Sequence, residues 1–139
     1  LTLAALEATL RIYASGHHLP ERLPTLALLM RPRAEIGATC DRLVAVLRAA
    51  LGERFDVSIE DCASQIGSGS MPEERLPSRA LVVRPVGKAS GRVIESVERR
   101  LRGLPVPVIG RIAGNALWLD ARCLLPRDEV PFVDNLKSL

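Results

Sequence analysis

Hydrophobic positions recur along the chain in two rhythms, one helical and one alternating. Leu3, Leu6, Leu10 and Tyr13 fall at helical spacing, and Gly16 supplies a stop. A loop punctuated by Pro20, Pro24 and Pro32 follows, with a short helical turn predicted over Leu26 to Met30. Ile36, Cys40, Leu43, Val44, Leu47 and Leu51 then draw one apolar stripe, and Gly52 stands where a C-terminal cap belongs. Phe55, Val57 and Ile59 alternate with polar neighbours as in a half-buried strand, and Ala80 to Val83 reads as a second strand. Val93, Val97 and Leu101 mark a further helix ending at Gly103; a hairpin and a terminal helix over about Arg127 to Leu136 follow. The order helix, helix, strand, strand, helix, strand, strand, helix predicts an α+β fold, a small, mostly antiparallel sheet with helices on one face. Ile36, Leu43, Val44, Leu47, Val57, Ile59, Leu81, Val83, Val97, Ile112 and Leu119 are expected to share its core.

The hairpin can be given a register. Gly114-Asn115 suits a two-residue turn, so Ala113 pairs with Ala116, Ile112 with Leu117 and Arg111 with Trp118. Paired residues share a face. Val108, Gly110, Ile112, Leu117, Leu119 and Ala121 then form the core side, while Arg111, Trp118, Asp120 and Arg122 form the other. That second face is either solvated surface with an ordinary ion pair or a holder for a ligand carboxylate or phosphate.

Composition narrows the classes. A chain of 139 residues points to one domain, and 47% hydrophobic with 3% aromatic residues requires aliphatic packing. A net charge of +3 does not by itself mark a nucleic-acid protein. Lys88 and Lys137 are the two lysines; every other basic residue is arginine or histidine. Cys40, Cys62 and Cys123 form no CxxC pair, and His17-His18 are adjacent, so neither a zinc site nor a disulfide framework is indicated. Buried free thiols in a reducing cytoplasm are expected. No apolar run reaches the ~18 residues of a membrane span. The chain opens directly in helix-like sequence, LTLAALEATLRIY, and reads as a piece of something longer.

The stretch SQIGSGSMPEERLPS, Ser64 to Ser78, invites a phosphate-binding reading that its spacing does not meet. A P-loop requires GxxxxGK[ST] feeding a helix, and no lysine lies near Gly67 or Gly69. A dinucleotide fingerprint requires a third glycine and a following helix, and a nucleophilic serine has no neighbouring histidine. A constrained loop between strands remains, with glycines permitting close backbone approach and prolines setting its exit.

Three stretches together, LTLAALEATLRIY, SQIGSGSMPEERLPS and LPVPVIGRIAGNALWLDARCL, resemble the C-terminal part of bacterial selenocysteine synthases, the L-seryl-tRNA(Sec) selenium transferases. The resemblance runs in order along essentially the whole chain. It implies a pyridoxal-phosphate enzyme of the aspartate-aminotransferase fold, with residues 1–139 as its C-terminal small domain and helix 1–15 leading to a large domain. It further implies conversion of seryl-tRNA(Sec) to selenocysteyl-tRNA(Sec) through a dehydroalanyl intermediate, selenophosphate as donor, a ring of dimers, and a cytoplasmic location without membrane association.

In that family the cofactor lysine and a pair of phosphate-binding arginines lie shortly before the LTLAALE stretch. Pyridoxal phosphate is therefore expected to be bound outside this chain, which holds no catalytic or metal-ligating residue and is inactive alone. Neither Lys88, in a Gly/Ser-flanked turn, nor Lys137, near the end, suits a Schiff base. Arg111, in VIGRI, is the candidate substrate contact, steadied by Asp120. Ser68 and Gly69 are candidates in the central loop, through backbone N–H groups reaching a phosphate or terminal ribose; a lock between domains is the structural alternative. Two other functions stay open: a related pyridoxal-dependent lyase, and a non-catalytic module that contacts tRNA or subunits. An extra N-terminal tRNA-binding domain upstream would mark the transferase.

Overall fold

The computed structural model describes residues 1–65, 75–87 and 91–139, which form two compact units, Leu1–Pro32 and Arg33–Leu139. The first contains three helices, α1 (Thr2–Ser15), α2 (Leu19–Arg22) and α3 (Pro24–Met30). Two short helices thus replace the single expected turn. Pro20 and Pro24 fall in their first turns, where the fixed φ of proline suits a helix and its missing N–H costs nothing. Helix α1 stops as expected, with Gly16 at φ 66° and its N–H donated to the Tyr13 carbonyl. Its apolar stripe forms, yet α1 buries no residue: Leu3 is 81% and Leu10 57% exposed.

The second unit contains α4 (Arg33–Leu51), β1 (Phe55–Gln65), β2 (Arg75–Pro85), α5 (Gly91–Arg102), β3 (Arg111–Ala113), β4 (Ala116–Asp120), a 3-10 turn (Ala121–Cys123) and α6 (Pro126–Leu136). The strands lie in the order β1-β2-β4-β3, every neighbouring pair antiparallel. The α+β expectation holds, as does the hairpin register: Arg111 pairs with Trp118, Ile112 with Leu117 and Ala113 with Ala116. Gly114 and Asn115 take φ 58° and 56°, the left-handed pair that a tight hairpin turn demands.

One face of the sheet is the core. Ile36, Cys40, Leu43, Leu47 and Leu51 of α4 meet Val57, Leu81, Val83, Leu117 and Leu119 from the strands and Ile94, Val97 and Leu101 from α5. Val44 and Ile59 pack against this cluster partly buried. Ile112 departs from expectation at 42% exposed. It sits on β3, a three-residue edge strand, where its side chain meets solvent along the sheet margin. Gly110 is held where no side chain fits: an added Cβ would lie 2.9 Å from the Trp118 carbonyl oxygen and 2.7 Å from Leu117 Cδ1 and Leu119 Cδ2. Helix α6 is pinned to α4 by Glu129, which accepts from Thr39 Oγ1 (3.1 Å) and from Arg42 Nε (2.8 Å) and Nη2 (2.6 Å).

Strands β1 and β2 run much further than their apolar alternation suggested. They pair from Phe55↔Pro85 to Gln65↔Arg75. The presumed loop from Ser64 to Ser78 is therefore strand at both ends. Proline in β2 is tolerated because β4 pairs only with Ala80 to Val83, which leaves Pro77 with a strand on one side alone.

Leu47 is fully buried at the centre of the α4 stripe, whereas Ile112 is not. Leu47→Ala should cost about 2–5 kcal/mol in urea unfolding, and Ile112→Ala markedly less. Equal costs would contradict this assignment of the core.

Candidate functional site

The sheet face turned away from α4 carries Ser58, Glu60, Cys62 and Ser64 on β1, Ser78, Ala80, Val82 and Arg84 on β2, and Trp118 and Asp120 on β4, with Arg111 on β3. Ala80, Val82 and Ala116 form a small apolar patch here, against which Cys62 and Trp118 pack. The Trp118 ring lies between two guanidinium groups: Arg84 and Arg111 each stand 5.9 Å from its centroid. Its Nε1 donates to the Ala113 carbonyl at 3.2 Å, which fixes the ring plane.

The two arginines differ in what else they touch. Arg84 forks onto Glu60 (Nη2–Oε2 3.1 Å), and Ser58 Oγ donates to the same carboxylate at 2.8 Å. The Arg84 hydrogen bond, helped by that of Ser58, holds the Glu60 carboxyl below its ordinary value. Arg111 is exposed and its side chain makes neither a hydrogen bond nor an ion pair among the described residues, so its guanidinium donors are free.

Asp120 does not steady Arg111, contrary to expectation. Its Oδ2 accepts from Ser64 Oγ at 2.5 Å, and its Oδ1 accepts from Ser78 Oγ at 2.6 Å and from the Arg122 N–H at 3.0 Å. The carboxylate thus joins β1 to β2 near the far end of their paired stretch. Arg122 likewise leaves the solvated face assigned to it and is 6% exposed. Its Nε donates to Ser64 Oγ at 2.9 Å and its Nη2 to the Pro77 carbonyl at 2.6 Å. The cause is local. The chain leaves β4 after Asp120 in a 3-10 turn, which ends the two-residue alternation and swings Arg122 inward. Because the Pro77 carbonyl points toward Arg122, the missing N–H of that proline also lies on the side away from β1.

Sequence reasoning thus placed Arg111 and Trp118 together but missed Arg84, Ser64 and Ser78 as partners. The signal existed: a hairpin extended two residues at a time sets Cys62 opposite Ser78 and Ser64 opposite Leu76. Ser68 and Gly69 lie outside the described residues, as does Lys88. Lys137 lies at the end of α6 with Nζ 2.7 Å from Asp134, three-quarters exposed. Of the thiols, Cys40 alone is buried, and that burial pushes its pKa up to about 11; Cys62 is half-buried and Cys123 exposed. Burial also raises the Cys62 thiol, with the Asp120 charge adding to it. Among the described residues no three His, Cys, Asp or Glu side chains come together as a metal set, and no helix is long and apolar enough to cross a membrane. A cavity of ≈ 390 Å³ opens between Val106–Ile109, β4 and α6, with Leu119, Leu124 and Phe132 in its walls. Asn135 closes one side by bonding both the N–H and the carbonyl of Val106.

These features define a small α+β domain that presents arginine and tryptophan on one sheet face and braces its long hairpin with a carboxylate and a buried arginine. The chain belongs to the L-seryl-tRNA selenium transferase family, whose pattern matches residues 1–125. It is 50% identical over 138 residues to the L-seryl-tRNA(Sec) selenium transferases of Yersinia pestis strain Pestoides F and of Yersinia pseudotuberculosis serotype O:3 strain YPIII. Those matches cover 99% of this chain and 29% of each relative, so the chain spans under a third of their length.

Two measurements check the site. Asp120→Ala leaves the fully buried Ser78 hydroxyl without its acceptor, so a loss of about 1–3 kcal/mol is expected in urea unfolding. A loss below ~0.5 kcal/mol would mean that the contact does not hold the hairpin. For Glu60 the folded carboxyl is depressed below the ordinary value of 4.5, so its contribution is complete above that pH. As pH falls from there through the folded value, the contribution is lost. The stability gap between the unmodified protein and Glu60→Gln should therefore shrink on acidification below 4.5 and be flat above it. A gap that widens toward acid would contradict the Arg84–Glu60 assignment.

Proposed function

We propose that the chain is the C-terminal small domain of a pyridoxal-phosphate-dependent selenium transferase of the aspartate-aminotransferase fold. The whole enzyme, a cytoplasmic ring of dimers, converts seryl-tRNA(Sec) to selenocysteyl-tRNA(Sec) with selenophosphate as donor. The observation that carries this reading is the 50% identity across 99% of the chain to enzymes bearing that name. The α+β architecture and the antiparallel sheet are consistent with it.

The described residues do not fit the cofactor. Lys137 is exposed and engaged by Asp134, and a Schiff base requires an amine positioned and desolvated for attack. No chemical step is therefore assigned to this chain. Its part is to shape and charge the wall of the site. Arg111 is the residue suited to that: its fork is unoccupied, and its guanidinium lies over the Trp118 ring. Phosphate or carbonyl oxygens of the aminoacylated tRNA end are the acceptors it fits.

Arg111→Ala in the full-length enzyme should slow conversion of seryl-tRNA(Sec) by about one to two orders of magnitude, the loss of one charge-assisted contact of roughly 1.5–3 kcal/mol made in the transition state. Single-turnover assays measure this, with circular dichroism to check the fold. Normal turnover would return Arg111 to the solvated surface.

A further inference from the structure

A second cationic feature lies away from the sheet face that carries Arg111. Arg54, just before β1, and Arg92 and Arg100 of α5 line one depression of ≈ 210 Å³, with Ser96 in its wall and Phe55, Val93 and Val97 beneath. Arg92, Ser96 and Arg100 recur every four residues and so share one face of α5. The apolar face of that helix is spent on the core through Ile94, Val97 and Leu101, which fixes the arginine face outward. Arg100 is oriented by an Nη2 bond to the Leu139 carbonyl at 2.7 Å.

Several other arginines of the second unit are paired with acids. Arg33 and Arg79 share Asp61, Arg42 takes Glu129, Arg84 takes Glu60 and Arg102 takes Glu98. Arg54 and Arg92 have no such partner among the described residues, and no acidic side chain lines their depression. Glu53 lines the adjacent one. From Arg92 to Arg100 the helix rises about 12 Å at 1.5 Å per residue. A cationic track of that length suits consecutive phosphates of a polyanion better than one small anion.

We infer that Arg54, Arg92, Ser96 and Arg100 form a phosphodiester-binding track that holds the backbone of the tRNA substrate. The inference rests on the proposed action on tRNA and adds a contact surface separate from the Arg111 face. Guanidinium forks and a serine hydroxyl match phosphate oxygens and read no base, so the contact positions the RNA without selecting its sequence.

The test is binding of an unacylated tRNA(Sec) transcript to the full-length enzyme across a salt series, with the double variant Arg54→Gln, Arg92→Gln beside the unmodified protein. Removing two phosphate contacts should flatten the slope of log affinity against log salt by about 1 to 2. A rise from about 50 to about 200 mM salt would then cost the variant about tenfold less affinity than it costs the unmodified protein. Ser96→Asp, which puts a negative charge in the track, should weaken binding further at low salt, while Arg127→Gln on α6 should leave the slope nearly unchanged. Thermal melts confirm that each variant folds. Unmodified binding and slope in both track variants overturns the inference while leaving the proposed function intact. An unmodified enzyme that binds no tRNA overturns both.

Discussion

Strand β2 is the member on which the remaining structure depends. It is paired on both sides, and its alternation sends Leu81 and Val83 to the helices and Ala80, Val82 and Arg84 to the opposite face. A slip of one residue would exchange those sets, burying Arg84 in the core and exposing two fully packed aliphatic side chains. The aliphatic core therefore fixes the register, and the register in turn sets Arg84 near Trp118 and Ser78 within reach of Asp120. The polar arrangement on the outer face is a consequence of hydrophobic packing on the inner one.

The two polar assemblies on that outer face have different physical characters. Around Asp120 the donors and acceptors satisfy one another: Ser64 Oγ donates to the carboxylate and accepts from Arg122. Such a closed network contributes to shape. Around Trp118 one cation is neutralised by Glu60 and the other is not. An unneutralised guanidinium supported on an aromatic ring is a contact waiting for an anion, which is why Arg111 rather than Asp120 carries the functional reading.

Much of this was legible in the sequence. The α4 stripe, the caps at Gly16 and Gly52 and the Gly114-Asn115 register follow from periodicity and turn chemistry that act over a few residues. The extension of β1 and β2 was obscured because Ser, Gly and Pro near their ends carry no apolar alternation, and the pairing is supported by side chains such as Asp120 and Arg122, distant in sequence. The inward turn of Arg122 was illegible for a related reason: alternation can be extrapolated only while a strand lasts, and β4 ends at Asp120. Ile112 shows the converse limit, since a correct face does not guarantee burial at an edge.

The unequal lengths of the strands have a mechanical consequence. Four strands lie side by side only at Val82 and Val83, and β2 meets β4 only from Ala80 to Val83; beyond Arg79 the β1–β2 hairpin continues as a two-stranded ribbon as far as Gln65↔Arg75. A two-stranded ribbon is marginal in water without further support. Here that support comes from the Arg33 and Arg79 contacts of Asp61 on one side and from Asp120 and Arg122 on the other. The ribbon is thus a cantilever fastened along its length by charged side chains, able to open locally without disturbing the core. Amide exchange along Ala63 to Gln65 would follow the strength of those fastenings, while exchange at Val57 or Val83 would follow the global stability of the domain.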